Sequence, residues 1–379
     1  MIDVFIGTKA QYIKTAPLLR LFAERDIPYR LIDSGQHART AATLRRFLKV
    51  KEPDAVLQDR GNIKTIPQAA VWFAKNILVT VFRPSVLRQR IFSAGPGLCI
   101  VHGDTPSTLL GLIMAKRAGK KVVHLEAGLR SFNLLRPFPE ELIRIVCMKM
   151  SDILFAPSDW AEENLKKMKV RGRVVKLDQN TNVEALYYAL EAGRPDLGAS
   201  VAPADIPARY CVVTFHRVET IMNKSRVRFL LRAIDYISER LFVVFVQHDP
   251  TEKKLADYGV LDRLKANGEV KLLPLQDHGD FLNLIDRSEF VLSDGGSIQE
   301  ECAYLDKPCL VMRSETERLE GLDGAVRLSN FDWGVLTDFV ENYPSLKKGR
   351  RTKNLKPSER ILGVLLEAQS AMSSAQNPK

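Results

Sequence analysis

Short runs of aliphatic and β-branched residues alternate along the chain with longer segments whose apolar residues recur at helical spacing. Such runs predict strands at residues 4–6, 29–33, 98–102, 121–125 and 153–156 in the first half, and at 210–214, 242–246, 270–273, 290–293 and 309–312 in the second. Strands that alternate with helices are typical of a parallel sheet with crossover helices. The pattern therefore predicts the α/β class, with one doubly wound sheet in each half.

Helices are predicted between the strands, and proline marks some of their ends. They include residues 12–24, 67–82, 108–117 and, towards the C-terminus, 358–371. Pro67 suits the first turn of a helix, and Pro84 is expected to stop that helix or kink it. A further strand at 174–177 and a helix at 183–190 are expected to finish the first domain or to bridge the two.

The length of the chain indicates two domains, because 379 residues exceed one ordinary core. Residues 192–208 are rich in Gly, Pro and Ala without periodicity, which indicates a linker. We expect an N-terminal Rossmann-like domain at 1–191, a C-terminal one at 209–345, and a basic linker with a final helix at 346–379. The expected architecture is two such domains facing each other across a cleft.

The composition is that of an ordinary globular protein, with 45% hydrophobic and 27% charged residues. The five cysteines lie in apolar segments and form no CxxC pair, which favours reduced core thiols over a disulfide framework or a metal site. No apolar run reaches the length needed to span a bilayer. Because the first predicted strand begins directly after Met1, we expect no signal peptide and a cytoplasmic location.

The formal net charge of +11 points to an anionic partner, such as a nucleic acid, an acidic membrane surface or an anionic metabolite. Part of the excess lies in the basic stretch at 347–353. A solvated loop is the simpler interpretation of that stretch, and weak contact with a membrane surface is the alternative. Basic residues are not interleaved with aromatic ones, which argues against specific nucleic-acid binding.

Acidic residues and one histidine stand just beyond the ends of predicted strands. Asp104 and Glu126 do so in the first half, and His216 does so in the second. Since ligands bind beyond the carboxyl ends of strands in open α/β sheets, we expect these side chains in a crevice, where they can transfer protons. Helix capping alone could explain Asp104. Compensation of a helix dipole could explain Glu140, which stands with Glu141 at a predicted helix start.

Two glycine-containing turns follow strands and precede helices, where free backbone amides bind phosphate. The turn at 7–11 is the weaker of the two, and the turn at 295–297 is the more specific. Glu300 or Glu301, one turn into the second helix, could accept hydrogen bonds from ribose hydroxyls. An ordinary helix cap with an acidic first turn is the alternative. Together these features suggest proton transfer on a phosphorylated ligand.

Taken in order along the chain, these segments resemble the UDP-N-acetylglucosamine 2-epimerase family, whose fold is glycosyltransferase-B-like. The matching segments are Gly7-Thr8 with Lys14, Gly35-Gln36-His37, His102-Gly103-Asp104-Thr105, Glu126-Ala127-Gly128-Leu129-Arg130, Pro139-Glu140-Glu141 with Arg144, Asn180-Thr181, His216-Arg217, His248, Asp294, Ile298-Gln299-Glu300-Glu301, Lys307-Pro308, Met312-Arg313 and Thr316-Glu317-Arg318. They cover most of the chain with similar spacing, which makes the resemblance specific.

The resemblance implies a nucleotide-sugar 2-epimerase that interconverts UDP-GlcNAc and UDP-ManNAc, or a modified UDP-2-acetamido sugar, for surface-polysaccharide precursor synthesis. In the non-hydrolysing members, the C2 proton is removed as UDP leaves C1, and UDP then adds back to the glycal intermediate with protonation on the other face. The C-terminal domain would bind UDP. The resemblance implies no cofactor and no metal, and a homodimer is expected.

The residues and the resemblance together define the candidate site. The candidate catalytic residues are Asp104, Glu126, Glu140 and His216. The candidate substrate-binding residues are Lys9, Lys14, Gln36, Arg144, Gly295, Gly296, Ser297, Glu300, Glu301 and Arg313. We expect the three carboxylates to share the proton transfer. His216, Lys9, Lys14 and the turn at 295–297 would stabilise the departing diphosphate.

The chain departs from the family pattern at some of these positions. It has Gly-Thr-Lys-Ala-Gln at 7–11, where Gly-Thr-Arg-Pro-Glu is usual, and Gly-Gly-Ser at 295–297, where Ser-Gly-Gly is usual. The Gln-Thr pattern tied to allosteric substrate binding in bacterial members is missing around 60–62, so we expect no such activation. Three alternatives stay open: a hydrolysing relative that releases UDP, a glycosyltransferase of the same fold, and a nucleotide-sugar-binding protein without catalysis.

Overall fold

The computed structural model describes residues 1–36, 38–58, 66–134, 139–191, 206–349 and 355–376. Residues 60–62, most of the predicted linker at 192–208 and residues 350–353 of the basic stretch therefore lie outside the described part. The chain forms two compact units. Unit 1 comprises Met1–Ala185 and Leu355–Lys379, and unit 2 comprises Leu186–Asn354.

Unit 1 is built on a parallel sheet of seven strands. They are β1 (Ile2–Ile6), β2 (Tyr29–Asp33), β3 (Ala55–Val56), β4 (Leu98–His102), β5 (Lys121–Leu125), β6 (Ile153–Ala156) and β7 (Arg173–Lys176). Their order is β3-β2-β1-β4-β5-β6-β7, and neighbouring strands are parallel throughout. The winding reverses between β1 and β4, so their carboxyl ends form the switch point at which ligands bind in such sheets.

Helices connect these strands and cover both faces of the sheet. They are α1 (Lys9–Glu24), α2 (Ala38–Leu48), α3 (Ile66–Phe82), α4 (Pro84–Val86), α5 (Pro106–Arg117), α6 (Glu140–Met150) and α7 (Asp159–Lys167), with a π-helical turn at Leu87–Ile91 after α4. Helix α8 (Asn182–Glu191) follows β7, begins in unit 1 and ends in unit 2. Capping boxes at Thr8 and Thr105 start α1 and α5, the two helices that leave the switch point.

The core of unit 1 lies on both faces of the sheet, as the alternating side chains of β1 show. Val4 belongs to one buried cluster together with Leu18 of α1. Phe5 belongs to a second cluster together with Leu110 of α5. Gly111 lets α5 approach closely, because a Cβ at that position would lie 2.6 Å from Phe5 Cδ1. Helices on both faces explain why the strands read as continuous apolar runs.

Unit 2 contains a parallel sheet of six strands with the same winding. The strands are β8 (Tyr210–Thr214), β9 (Phe242–Val246), β10 (Val270–Leu273), β11 (Val291–Ser293), β12 (Cys309–Val311) and β13 (Val326–Leu328), in the order β10-β9-β8-β11-β12-β13. The helices are α9 (Val218–Ile221), α10 (Lys224–Ser238), α11 (Asp249–Asp257), α12 (Leu261–Ala266), α13 (His278–Arg287), α14 (Gly296–Leu305) and α15 (Trp333–Asn342), followed by a 3-10 turn at Tyr343–Leu346. Its switch point lies between β8 and β11.

The last helix, α16 (Pro357–Gln376), packs on unit 1. Ile361 and Leu365 are fully buried in the cluster that also contains Leu18. Ser358 Oγ donates to Glu184 Oε1 at 2.5 Å, which fixes the start of the helix. The helix predicted at 358–371 is thus present, and its buried residues belong to the core of unit 1.

The structure confirms the α/β class and each of the predicted strands. The structure also contains the short strands β3 and β13, of two and three residues, which are not among the predicted strands. All five cysteines are buried free thiols. No single helix in the described ranges is long and apolar enough to cross a membrane, whereas the bent pair Ala70–Phe82 and Pro84–Ile91 passes by length and composition.

Candidate active site

A buried amide side chain connects the two strand ends at the switch point of unit 1. Gln11 Oε1 accepts hydrogen bonds from Gly7 N at 2.7 Å and Thr8 N at 3.1 Å. Its Nε2 donates to His102 O at 2.7 Å and to Thr108 Oγ1 at 2.8 Å. Gln11 therefore joins the turn after β1 to the loop after β4, which carries the first candidate carboxylate.

The turn after β1 uses two of its backbone amides in contacts within the protein. The amides of Gly7 and Thr8, which the glycine turn led us to consider as phosphate donors, are occupied by Gln11. Lys9 is exposed at the first position of α1. Its ammonium group can therefore meet a ligand.

Asp104 is paired with Arg144, which reaches it from α6. Arg144 Nη2 contacts Asp104 Oδ2, and Arg144 Nη1 lies 3.5 Å from Glu141 Oε2. Glu141 in turn pairs with Arg130 Nε and accepts a hydrogen bond from Ser131 N at 2.9 Å. This row of alternating charges connects α6 with the loops that follow β4 and β5.

Glu141 is the buried anchor of that row. Burial alone would raise the pKa of its carboxyl, but the hydrogen bond from Ser131 N and the charges of Arg130 and Arg144 outweigh burial and hold the pKa below its usual value. Glu141 is therefore charged at neutral pH and orients Arg144. The neighbouring candidate Glu140 is the first residue of α6 and is partly exposed.

Glu126, just beyond β5, is buried against a cation. Lys14 Nζ lies 2.6 Å from Glu126 Oε2, and the two side chains are 7% and 5% exposed. Asn180 Nδ2 donates to the same oxygen at 2.6 Å, and His102 Nε2 lies 3.9 Å from it. Thr181 Oγ1 donates to the backbone oxygen of Lys14 at 2.5 Å. Segments that are far apart in sequence thus converge on one carboxylate.

The backbone around Glu126 explains the Glu-Ala-Gly sequence of this turn. Glu126 has a φ of 62°, a left-handed conformation that is uncommon for a residue other than glycine and is often found at functional sites. Gly128 has a φ of 94°, and a Cβ there would lie 2.2 Å from Ala161 O in α7. Glycine is therefore required where the turn packs against α7.

A buried histidine supports the loop that carries Asp104. His124 lies in β5, and its Nε2 is 2.8 Å from Gly103 O. Its Nδ1 is buried without a hydrogen-bond partner among the residues that the structure describes. Burial lowers the pKa of His124, against the opposing influence of Asp104 and Glu126. A neutral imidazole whose Nε2–H donates to Gly103 fits this environment.

Gln36 lies in the turn after β2, and that turn is fixed by Asp33. Gly35 N donates to Asp33 Oδ1 at 2.7 Å, and Tyr12 OH donates to Asp33 Oδ2 at 2.6 Å. Arg45 Nη1 lies 3.6 Å from the same Oδ2. The buried Gln36 is thus held near the switch point by a network that reaches it from α1 and α2.

In unit 2, a single carboxylate connects the ends of β8 and β11. The fully buried Asp294 accepts hydrogen bonds from His216 N and Arg217 N, both at 3.1 Å. His216 Nδ1 lies 3.3 Å from Asp294 Oδ1, and its ring stacks on His248 with centroids 4.7 Å apart. Backbone and ring contacts therefore both hold His216 at the switch point, while its side chain remains 37% exposed.

The helix that follows β11 begins without a capping side chain. Gly295 is the N-cap of α14, and Gly296 and Ser297 form its first turn. The first amides of such a helix have no partner within the helix, which suits them to an anion. A Cβ at Gly296 would lie 3.1 Å from Glu317 Oε1 and 3.2 Å from Arg318 Nε. Glycine thus brings the helix start next to charged side chains.

Two arginines stand near the same strand ends, and each is paired with a glutamate. Arg217 Nε lies 2.5 Å from Glu219 Oε1, and Arg313 Nη1 lies 3.0 Å from Glu317 Oε2. Burial would lower the pKa of Arg217, but Glu219, Glu317 and Asp294 outweigh burial and raise it. Two guanidinium groups, which are cations in proteins, thus stand where they could attract a diphosphate.

The two glutamates of α14 that were considered for ribose are both buried. Glu300 Oε1 accepts from Tyr304 OH at 2.8 Å, and Glu300 Oε2 pairs with Arg318 Nη1 at 2.8 Å. Glu300 therefore contributes to the packing of Arg318. Glu301, the next residue of the helix, is buried as well.

Three residues that form long-range hydrogen bonds at the strand ends were not among the predicted site residues. Gln11, Asn180 and Asp294 bond to partners that lie 91, 54 and 78 positions away. Asn180 and Asp294 occur in segments that carry the family resemblance, which was the available sequence signal. In the described part of the chain, no group of three His, Cys, Asp or Glu side chains is arranged to hold a metal ion.

A family model described as UDP-N-acetylglucosamine 2-epimerase matches residues 20–332. This chain belongs to that family. The match includes all the catalytic candidates of both units and confirms the resemblance seen in the sequence.

Other members of the epimerase family match over nearly their whole length. The UDP-N-acetylglucosamine 2-epimerase of Methanocaldococcus jannaschii is 29% identical over 373 residues, covering 96% of this chain and 98% of that protein. The UDP-2,3-diacetamido-2,3-dideoxy-D-glucuronate 2-epimerase of Pseudomonas aeruginosa is 29% identical over 321 residues, covering 83% and 84%. The crystal structure of the Methanocaldococcus jannaschii enzyme in complex with UDP-GlcNAc and UDP matches with a TM-score of 0.78 at 26% identity, covering 97% and 99%.

Proposed function

We propose that this epimerase-family protein is a non-hydrolysing nucleotide-sugar 2-epimerase acting on a UDP-2-acetamido sugar. The observation that carries the proposal is the placement of Asp104 and Glu126 just beyond neighbouring parallel strands, each carboxylate beside a buried cation. Family membership and the epimerase activity named for its relatives support the same reaction.

The reaction requires proton transfer at C2 of the sugar, which lies next to no carbonyl carbon. A base takes the C2 proton, the electron pair of the C–H bond forms the C1–C2 double bond, and the electron pair of the C1–O bond leaves with UDP. Addition of UDP to C1 and of a proton to the opposite face of C2 gives the epimer. The site must therefore hold proton-transfer groups and stabilise a diphosphate. No carbon changes its oxidation state over the full cycle, so no redox cofactor is needed.

We assign the proton transfer to unit 1. Glu126, Asp104 and Glu140 are the proposed acids and bases, because all three lie at the end of the sheet where β4 and β5 finish. Lys14 and Arg144 are proposed to hold the first two carboxylates and to contact the substrate. Lys9 and Gln36, in the turns after β1 and β2, are further proposed substrate contacts.

We assign the binding of the diphosphate to unit 2. The proposed contacts are His216, Gly295, Gly296, Ser297 and Arg313. They combine uncapped helix amides with a cation and a partly exposed imidazole at one switch point. Glu300 or Glu301, one turn into α14, is proposed to accept hydrogen bonds from the ribose hydroxyls.

We further propose a homodimer, with a second copy covering the outer face of α3. Val71, Leu78, Val81 and Phe82 recur at helical spacing there and are 70%, 56%, 51% and 75% exposed. Exposed apolar side chains grouped in this way mark interaction sites. Size-exclusion chromatography with light scattering should give a dimer mass for the wild type and for Lys265→Glu, which changes an exposed charge on α12 of unit 2, and a monomer mass for Leu78→Glu. A monomeric wild type would contradict the proposal.

Product analysis tests the proposed reaction. Purified protein would be incubated with UDP-GlcNAc and, separately, with a UDP-diacetamido-glucuronate, and the products separated by anion-exchange chromatography. We expect conversion of one of them to an intact UDP-sugar epimer. Stoichiometric free UDP with free sugar would instead establish a hydrolysing enzyme. No change in either substrate would contradict both activities.

A further inference from the structure

The short segment between β7 and α8 reaches into the candidate proton-transfer site. Asn180 and Thr181 precede α8, and both are buried. Asn180 Nδ2 donates to Glu126 Oε2 at 2.6 Å, and Thr181 Oγ1 donates to Lys14 O at 2.5 Å. One residue thus holds the proposed base, and the next holds the backbone of the cation that is paired with it.

The contacts on Glu126 are directional. Lys14 Nζ and Asn180 Nδ2 both approach Oε2, each at 2.6 Å, and His102 Nε2 lies 3.9 Å from that oxygen. Two donors on one oxygen fix the plane of the carboxylate. Hydrogen bonds to an ionised group are among the stronger ones in proteins. The amide of Asn180 supplies this orientation without adding a titratable proton.

We propose that Asn180 and Thr181 are positioning residues for the proton-transfer step. Asn180 fixes the orientation of the Glu126 carboxylate, and Thr181 fixes the backbone from which Lys14 reaches it. This inference rests on the proposed function insofar as Glu126 moves the C2 proton. The pairing itself is a property of the protein without substrate, so it can be tested separately.

The pH dependence of kcat distinguishes positioning from a merely structural role. Asn180→Asp keeps the size of the side chain and sets a second carboxylate against Glu126. Two carboxylates at one site raise the pKa of one of them, so the acid limb of the profile should move to higher pH by about one unit or more. Gln179→Glu, which adds the same charge one residue away on a partly exposed side chain, should leave the limb in place. Equal profiles for the two variants would overturn the inference.

A second measurement needs no activity. Thermal unfolding at pH 8 would be compared for the wild type, Asn180→Asp, Glu126→Gln and the double variant. The double variant exchanges amide and carboxylate and so restores one negative charge beside Lys14. Asn180→Asp alone should lower Tm by several degrees, and the double variant should recover at least half of that loss. Additive losses would overturn the inference even if the enzyme is active.

The two measurements separate the two proposals. If the wild type converts no UDP-sugar while Tm recovers in the double variant, the proposed function fails and the pairing of Asn180 with Glu126 stands. If the wild type is an epimerase while the acid limb of Asn180→Asp does not move, the proposed function stands and the positioning role fails.

Discussion

The side-chain amide of Gln11 donates a 2.7 Å hydrogen bond to the backbone oxygen of His102, across 91 positions of sequence. The bond joins the ends of β1 and β4, the two strands between which the winding of the sheet reverses. A glutamate, the residue usual in this family at position 11, has no N–H to donate when ionised. The chain has therefore exchanged a carboxylate for an amide that fastens the loop carrying Asp104.

Gln11→Glu should lower kcat by roughly 10-fold or more at neutral pH, because an ionised oxygen would face His102 O in place of the amide donor and repel it, so that the loop carrying Asp104 keeps the hydrogen bond from Thr108 Oγ1 but loses the one from Gln11. The introduced carboxyl regains a donor when protonated, so the deficit relative to the wild type should shrink as the pH falls. Gln11→Met, which cannot titrate, should show a deficit that does not change with pH. Steady-state kinetics between pH 5 and pH 8 check this, and parallel profiles for the two variants would contradict it.

Gly128→Ala should destabilise the protein far more than Gly103→Ala. Both glycines have positive φ, of 94° and 70°. A Cβ at position 128 would lie 2.2 Å from Ala161 O, whereas one at position 103 would meet nothing within 4 Å. We expect a loss of about 3 kcal/mol or more in the free energy of unfolding for the first and about 1 kcal/mol for the second. Urea denaturation measures both, and similar losses would contradict the close approach.

Asp294→Ala should weaken UDP binding about 10-fold, because the amides of His216 and Arg217 lose the carboxylate that orients them. Isothermal titration of the variant with UDP measures the effect. Asp332→Asn, which alters the N-cap of α15 in the same unit, is the matched control. It should bind UDP as the wild type does. An unchanged affinity in Asp294→Ala would show that β8 and β11 do not hold the diphosphate.

His278 should make the stability of the protein depend on pH below neutrality. Burial lowers its pKa from 6.5 to about 4, so the folded state keeps the imidazole neutral where the unfolded state already binds a proton. Its contribution is present above pH 6.5 and is lost as the pH falls towards 4. The free energy of unfolding of His278→Gln should therefore fall less steeply than that of the wild type between pH 6.5 and pH 5. Equal slopes in denaturation curves would contradict this.

Most of the strands could be predicted because they contain short runs of aliphatic and β-branched residues, and Asp104, Glu126 and His216 could be placed because parallel strands end at one edge of a sheet. The contacts that these residues make with other side chains could not be predicted from the sequence. Gln11 and Asn180 contact partners on other elements, and no local pattern encodes such contacts. The burial of Glu300 against Arg318 depends on the loop after β12 in the same way.

The most direct test of the central claim is a proton NMR time course with UDP-GlcNAc, or whichever UDP-sugar proves to be the substrate, in deuterated water. The wild type should incorporate deuterium at C2 as the epimer forms. In Glu126→Gln, the rate of deuterium incorporation should be at least 100-fold lower. Epimer formation with full retention of the C2 proton, or unchanged exchange in Glu126→Gln, would contradict the assignment of proton transfer to the carboxylates at the ends of β4 and β5.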